Sequence, residues 1–439
     1  MNLIDLGEAA DWAPPQTPRP RGRLARRWPS ALAVLALAGA LLTADTFQTR
    51  EPVLHVAGYV IEFEILAGRL YVKRVDAGQR PELSAYALGG RRLWTLPGTD
   101  PDQVVTLATP GVVLLATGAT MRTPPPDRAV TALDAGTGRE LWRRSAAAPH
   151  GAAGGRILLE DLGGRGAAEP AAEPVADFSI NRTPPQVETR LVAVDERTGA
   201  PAWSATVPAG AQVEYDIEQR AVRQLGPDGV LQTRDLVTGA VLGREQLAWS
   251  GTPSWFTTGA VQVVVSTAGR RGADVFDRAT GRWLWNVENS WLHPCGTGRW
   301  CRIDGTGVRA FDATSGRPVW GVPDYNHVFV VTDDDAVVLG GFGTSAAATH
   351  DPVLLVADAR TGAIRHRLDG WVVGPFARDA VVVVARPDPP GASLVGVFDP
   401  RTGGVGIVGR GDVGPQPYCT AGSGRLACLN GGLTVWKIP

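Results

Sequence analysis

The stretch LDAGTGRELW, residues 133–142, contains the pattern that decides the fold of this chain of 439 residues. It is an Asp-x-x-Thr-Gly sequence followed, eight residues after the aspartate, by a tryptophan. A degenerate copy, AYALGGRRLW at 85–94, has Tyr86 in place of the aspartate. The six other copies, in some of which serine replaces threonine or another residue replaces tryptophan, are VDERTGAPAW (194–203), RDLVTGAVLG (234–243), FDRATGRWLW (276–285), FDATSGRPVW (311–320), ADARTGAIRH (357–366) and FDPRTGGVGI (398–407).

The spacing of the copies predicts one repeated unit. Successive aspartates lie between 35 residues apart (Asp277 to Asp312) and 61 residues apart (Asp134 to Asp195), and most intervals are close to 40. Each copy follows a stretch rich in β-branched and apolar residues. This period and composition are typical of a propeller blade made of four strands.

The residue types in the motif suit a tight turn between two strands. An aspartate at the entrance can accept hydrogen bonds from local backbone N–H groups, and glycine supplies the positive φ that the turn needs. The tryptophan lies on the strand beyond the turn, where its ring can pack between neighbouring sheets. We therefore expect a structural role, and no catalytic one, for Asp134, Gly138, Trp142, Asp195, Gly199, Trp203, Asp277, Gly281, Trp285, Asp312, Gly316 and Trp320.

The Asp-x-x-Thr-Gly-x-x-x-Trp repeat resembles that of the PQQ-like β-propeller family, which includes quinoprotein alcohol dehydrogenases and BamB-like outer-membrane assembly factors. The resemblance covers residues 53–439 and implies an all-β propeller of about eight four-stranded blades, within a range of seven to nine. Nine units can be counted when the degenerate first and the truncated last are included. We expect the N-terminal strand at Val53–Gly58 to complete the last unit and so close the ring, which would leave no exposed edge between the ends.

The first fifty residues predict a membrane anchor. The run ALAVLALAGALLTA at 31–44 contains no charge, and five arginines precede it between residues 19 and 27. We expect a cytoplasmic Pro/Arg-rich tail at 1–29, a transmembrane helix at 30–47 and an extracytoplasmic propeller at 53–439, because positive charge favours the cytoplasmic side. A cleaved signal peptide is the alternative, since the apolar run also fits the core of one.

The charge balance excludes nucleic-acid binding through a broad basic surface, and the lysine content excludes a Walker phosphate loop. The chain has 43 Lys+Arg and 44 Asp+Glu, which rules out a broad electrostatic grip on nucleic acid. The lysines are Lys73 and Lys437 alone, and neither follows a glycine, so a Walker phosphate loop is absent.

Four cysteines form two close pairs in the sequence, each around a glycine-rich turn. Cys295 and Cys301 flank one turn, and Cys419 and Cys428 flank the other. In an oxidising compartment we expect disulfides within both pairs. Metal binding is a poor alternative, since the spacings are not C-x₂-C and no histidine accompanies both pairs.

The insertions fall at one place in the repeat, before the strand that enters the Thr-Gly turn. They are Met121–Arg128, Gly163–Glu188, Thr344–Pro352 and Pro387–Ala392. In an antiparallel blade this place is on the face opposite the Thr-Gly turns. The insertions either form a partner-binding face or are tolerated surface loops, and the residues leave both interpretations open.

The sequence favours a non-catalytic function. Six histidines are scattered singly, no Gly-x-Ser-x-Gly motif occurs, and the acidic run Asp333–Asp335 fits a hairpin tip better than a calcium site. We expect a scaffold that binds an unknown protein, envelope component or ligand, with no cofactor, metal or nucleic acid. The alternative that the resemblance implies is a PQQ-dependent quinoprotein oxidoreductase, for which no Asp/Glu/Asn ligand set can be placed.

Overall fold

Every regular element that the structure describes is a β-strand. The computed structural model describes residues 50–438, apart from 118–128, 162–186, 341–353, 374–381, 412–417 and shorter breaks at 77, 146, 218, 271, 289, 305, 324, 326, 333–334, 389–391 and 430–431. The described part belongs to a compact unit that runs from Thr49 to Pro439. Residues 1–29 and 30–47, for which a tail and a helix are predicted, lie outside it. Within it, no helix is long and apolar enough to cross a membrane.

The strands of the described residues form nine antiparallel sheets of four strands, which we number as blades 1–9. Blade 1 contains β2 (Val60–Leu66), β3 (Arg69–Val75), β4 (Pro81–Ala87) and β5 (Arg92–Pro97). Blade 2 contains β6 (Gln103–Ala108), β7 (Val112–Thr117), β8 (Ala129–Asp134) and β9 (Glu140–Ser145). Blade 3 contains β10 (Ala147–Ala153), β11 (Arg156–Asp161), β12 (Thr189–Asp195) and β13 (Pro201–Val207).

The next three blades follow the same order. Blade 4 contains β14 (Gln212–Asp216), β15 (Ala221–Leu225), β16 (Val230–Asp235) and β17 (Val241–Gln246). Blade 5 contains β18 (Pro253–Thr258), β19 (Gln262–Thr267), β20 (Gly272–Asp277) and β21 (Trp283–Glu288). Blade 6 contains β22 (Trp291–Pro294), β23 (Arg299–Asp304), β24 (Gly307–Asp312) and β25 (Pro318–Pro323).

The last three blades include one that is built from both ends of the propeller sequence. Blade 7 contains β26 (His327–Val331), β27 (Ala336–Gly340), β28 (Leu354–Asp358) and β29 (Ile364–Leu368). Blade 8 contains β30 (Val372–Val373), β31 (Val382–Asp388), β32 (Ala392–Phe398) and β33 (Val405–Gly411). Blade 9 contains β34 (Cys419–Gly422), β35 (Arg425–Leu429), β36 (Gly432–Lys437) and, as its fourth strand, β1 (Leu54–Ala57).

The pairing of β1 confirms the predicted closure. Leu54 pairs with Val435, and Ala57 pairs with Gly432, in one antiparallel ladder. The all-β propeller is also confirmed, but the preferred number of eight blades is one too low, although nine is within the expected range. The reason is that the truncated last unit is a full blade, because β1 supplies the strand that its own sequence lacks.

Burial explains why the strands differ in composition along each blade. Second strands such as β7, VVLLAT, are buried at nearly every position, because neighbouring blades cover both of their sides. Fourth strands such as β9, ELWRRS, alternate between exposed and buried residues. Nine clusters of buried side chains each join two successive blades, and the ninth joins blade 9 to blade 1, so the core is a closed ring.

The connections define two faces of the ring. The turn face carries the connections between first and second strands and the connections between third and fourth strands. Backbone hydrogen bonds join these two kinds of connection, such as Ala135 N to Gly111 O (3.0 Å) and Leu236 N to Arg220 O (2.7 Å). The loop face carries the connections between second and third strands. Three of the four predicted insertions, Met121–Arg128, Gly163–Glu188 and Thr344–Pro352, fall between second and third strands, in blades 2, 3 and 7, so the strands that flank them meet these segments at the loop face. The fourth, Pro387–Ala392, overlaps β31 and β32 and leaves only the short connection 389–391. Apart from residues 187–188 and the ends of β31 and β32, the insertions lie outside the described residues.

Candidate functional site

The Asp-x-x-Thr-Gly sequences form the turns between third and fourth strands. In blade 2, Asp134 Oδ1 accepts hydrogen bonds from Gly136 N (3.0 Å), Thr137 N (2.9 Å) and Thr137 Oγ1 (2.9 Å). Gly138 has a φ of 72° and donates its N–H to Asp134 O at 2.8 Å. One carboxylate thus organises the whole turn.

The turn hydrogen bonds keep the aspartates ionised. In six of the seven turns, the main cause of a lowered pKa is a hydrogen bond from the turn's own threonine or serine, through its hydroxyl or its backbone N–H. In the seventh turn, Arg365 is the first cause, and with Thr361 it holds the pKa of Asp358 far below its ordinary value. Carboxylates in this state suit a structural role and are poor proton donors at neutral pH.

Five tryptophans reach from a fourth strand onto the turn of the next blade. The indole Nε1 atoms donate to the carbonyl of the residue after the turn aspartate: Trp94 to Ala135, Trp142 to Glu196, Trp203 to Leu236, Trp285 to Ala313 and Trp320 to Ala359, at 2.7–3.0 Å. Each ring also covers the turn glycine. A Cβ built at Gly138, Gly199, Gly239, Gly316 or Gly362 would lie 2.5–2.8 Å from a ring atom. The turn therefore requires glycine for its backbone and for the indole above it.

The junctions without tryptophan use other contacts. His366 takes the tryptophan position between blades 7 and 8, with Nε2 3.2 Å from Arg401 O. Between blades 4 and 5 the position is Gly243, and the fourth strand approaches Gly281 with its own backbone, as Ala248 N donates to Gly281 O at 2.7 Å. Arg278 of the same turn pairs with Glu245 at 3.2 Å.

Both predicted disulfides are present, so all four cysteines are paired. Cys295–Cys301 spans the connection between β22 and β23 of blade 6, and Cys419–Cys428 joins directly opposed residues of β34 and β35 in blade 9. The two bridges occupy the same part of their blades, the hairpin of the first and second strands. All four residues are buried.

Buried polar clusters on first and second strands were not found from the sequence. In blade 1, Lys73 is 3% exposed and its Nζ donates to the carbonyls of Pro101 and Gln103, which precede and begin the first strand of blade 2. Burial lowers the pKa of Lys73 and raises the pKa of Glu62, its neighbour across the strands, to about 7. The only available signal was a lysine that directly follows the apolar run LYV of β3.

Two further polar clusters link blades 3, 4 and 5. Glu214 of β14 accepts hydrogen bonds from Thr257 Oγ1 (2.9 Å) and Thr258 Oγ1 (2.8 Å) of blade 5, and the buried Arg223 lies 3.1 Å from Asp216. In blade 3, the His150 ring stacks on Tyr215 of blade 4 with ring centroids 4.4 Å apart, and its Nε2 is 3.2 Å from Glu160. These clusters connect side chains across blade junctions.

The quinoprotein alternative requires ligands for a divalent cation. Within the described residues, no group of three or more His, Cys, Asp or Glu side chains is placed to hold a metal ion. Asp335, the described member of the acidic run, accepts hydrogen bonds from Thr297 N (2.9 Å) and Thr297 Oγ1 (3.0 Å) of the neighbouring blade. A cavity beside Lys73 and Thr99 measures about 10 Å³, room for one water molecule. We derive no catalytic step from these residues.

One protein-family model matches the first part of this propeller. The family model of the outer membrane protein assembly factor BamB matches residues 46–169, which include blades 1 and 2. The chain is a nine-bladed β-propeller, and its first part resembles that family. No curated protein matches this propeller closely enough to be paired with it.

Solved structures similar to this propeller come from several kinds of protein. A eukaryotic initiation factor is 11% identical, with a TM-score of 0.51 over 80% of this chain and 87% of that chain. BamB from Moraxella catarrhalis is 17% identical, with a TM-score of 0.39 over 89% and 98% of the two chains. A europium-containing methanol dehydrogenase is 13% identical, with a TM-score of 0.39 over 88% and 85%. The first of these likenesses shows the propeller fold and nothing about activity.

We predict that Gly138→Ala destabilises the propeller more than Gly68→Ala. Both glycines have nearly equal positive φ, 72° and 74°, but Trp94 covers Gly138 whereas nothing lies within 4 Å of the position of a Gly68 Cβ. Backbone strain of about 1–2 kcal/mol is common to both variants. The indole adds an overpacking cost of about 1–3 kcal/mol at Gly138 alone.

Chemical denaturation of the two variants, alone and combined with Trp94→Ala, measures this difference. The extra cost at Gly138 should disappear when the indole is absent, since the two residues are then uncoupled. Equal costs at the two glycines in the presence of Trp94 would show that the indole does not constrain the turn.

We also predict that Glu62→Gln changes the pH dependence of stability. The native pKa of Glu62 is about 7 against an ordinary value of 4.5, so between these values the unfolded chain binds fewer protons than the native protein. Stability therefore falls as pH rises through this window, and the variant should lose that part of the decline. Denaturation curves from below pH 4.5 to above pH 7 test it, with the exposed Glu140→Gln as control. Parallel pH profiles of wild type and Glu62→Gln would contradict the prediction.

Proposed function

We propose that this propeller is a non-catalytic, membrane-anchored extracytoplasmic scaffold that binds a protein of the cell envelope through its loop face. The observation that carries the proposal is the placement of the insertions. The three long insertions leave the ring on one face, two of them from the adjacent blades 2 and 3 and one from blade 7. A rigid ring that presents variable segments on one face suits the binding of a large partner.

The disulfides support the location outside the cytoplasm. All four cysteines are paired. Such bridges persist in oxidising compartments and are rare in the cytosol. The predicted helix at 30–47, with arginines before it, supports an anchor whose propeller side is extracytoplasmic.

The class of partner is supported by the family match. The matched family is named for outer membrane protein assembly, and the match extends over blades 1 and 2 and the insertion between β7 and β8. The polar clusters described above are engaged between blades, where they hold the ring together. This use of charged side chains favours a scaffold over a catalyst.

The test is photo-crosslinking from matched positions on the two faces. Val187 is 39% exposed near the end of the longest insertion on the loop face, and Val261 is 57% exposed in a turn of blade 5 on the turn face. A photo-reactive amino acid at residue 187 should yield a discrete crosslinked envelope protein in membranes. The same amino acid at residue 261 should not, because that face does not carry the insertions.

A shortened variant identifies the segment responsible. Asp161 and Arg190 are paired residues of β11 and β12, so a short glycine-containing turn can replace 163–184, which keeps the labelled residue 187 and the strand register. The variant should fold and lose the crosslink, whereas an equal-length Gly/Ser replacement separates the effect of sequence from that of length. No crosslink at residue 187, a crosslink unaffected by shortening, or dehydrogenase activity on addition of PQQ and calcium would overturn the proposal.

A further inference from the structure

Four consecutive blades expose apolar side chains at equivalent positions. Val241 and Leu242 of blade 4, Trp283 of blade 5, Val319 of blade 6 and Ile364 of blade 7 lie six or seven residues after the turn aspartate. Their exposed fractions are 42–61%. The corresponding positions of blade 2, by contrast, are Glu140, which is exposed, and Leu141, which is half-buried. These five residues, which we call the apolar arc, lie at the start of fourth strands beside the turn face.

Exposed arginines accompany the apolar arc on the same turns. Arg282 directly precedes Trp283, Arg317 lies two residues before Val319, and Arg360 is in the turn before Ile364. The carboxylates of these turns point into their own backbone N–H groups or toward a neighbouring arginine, as Asp277 and Asp358 do. A rim that interleaves arginines with large apolar side chains is suited to the boundary between anionic headgroups and acyl chains.

The chain also enters the propeller at the turn face. β1 is antiparallel to β36, whose last residue, Lys437, is paired with Arg425 at the turn between first and second strands of blade 9. Val53 N donates to Val435 O (2.8 Å), and Arg50 Nη1 donates to Lys437 O (3.2 Å). The segment before β1 therefore reaches the ring at its turn-face end. Only two residues separate Arg50 from the end of the predicted helix at 47, a span of about 10 Å at most.

We propose that the turn face docks on the anionic membrane surface through the apolar arc and its arginines, which leaves the loop face directed away from the bilayer. The proposal rests on the membrane anchor of the proposed function. It assigns the two faces different tasks, one toward lipid and the other toward the protein partner. The entry point of the chain and the apolar arc are independent observations, and both select the turn face.

Energy transfer from single labelled positions to acceptor-labelled lipids tests the orientation. Since all four native cysteines are in disulfides, an introduced cysteine is the sole thiol for labelling. Ala279→Cys places the label in the exposed Thr-Gly turn of blade 5, and Arg270→Cys places it in the loop-face connection of the same blade. The six-residue strand β20 between them spans about 20 Å.

The full chain is reconstituted in vesicles that contain phosphatidylglycerol, with phosphatidylcholine vesicles for comparison. We expect greater transfer from residue 279 than from residue 270. Equal transfer, or greater transfer from residue 270, with the protein still floating with the vesicles, overturns the docking. A protein that does not float with the vesicles shows instead that the anchor of the proposed function is wrong.

A second pair of variants tests the apolar arc itself. Trp283→Ser combined with Ile364→Ser should lower the transfer from residue 279 in phosphatidylglycerol vesicles toward the value from residue 270. Tyr59→Ser is the matched control, because Tyr59 is 74% exposed but lies on the loop face, between the end of β1 and the start of β2. Transfer unchanged by the double substitution, or equal in the two lipids for the wild type, would show that the arc does not contact the bilayer.

Discussion

The contact on which the rest of this propeller depends is that of an indole with the turn of the next blade. The indole Nε1 donates a hydrogen bond to a backbone carbonyl of the turn, and the indole ring packs directly on the turn glycine. Any larger residue at that glycine would displace the ring. A single blade leaves both sides of its inner strands uncovered, so each sheet needs a neighbour on either side. The indole contact fixes where that neighbour sits, because it joins the fourth strand of one blade to the turn of the next.

Ring closure extends the same constraint to the two ends of the propeller. Blade 9 has no Thr-Gly turn, and β1 arrives from the N-terminal side to form its fourth strand. Val53 O then lies 2.6 Å from the place of a Gly90 Cβ, so the incoming strand covers the turn glycine of blade 1 with backbone where other junctions use an indole. The entry of the chain at this point also determines which face of the ring lies near the membrane in our proposal.

Much of the fold follows from local chemistry that a sequence displays. Asp134, Thr137 and Gly138 determine their turn within five residues, and the cysteine pairs lie across single hairpins, so the spacing alone predicts both features. The number of blades was harder, since whether the last unit is complete depends on β1, which is distant in sequence. The family resemblance favoured eight, whereas the nine counted units were the better guide.

The candidate sites were less predictable for a physical reason. Glu214 meets Thr257 and Thr258 only because two blades pack together, and Lys73 reaches the carbonyls near Gln103 in the same way. The apolar arc is likewise a property of four blades arranged side by side. Each of its members is an ordinary strand residue in the sequence, and only the ring brings them onto one rim.

Hydrogen exchange at the turns measures the central contact most directly. Trp203 lies on blade 3, and its indole covers Gly239 in the turn of blade 4. Trp203→Ala should accelerate amide exchange in the blade 4 turn, residues 235–240, while the turn of its own blade, residues 195–200, keeps its protection under Trp142. Acceleration confined to blade 3, or no change at residues 235–240, would contradict the account.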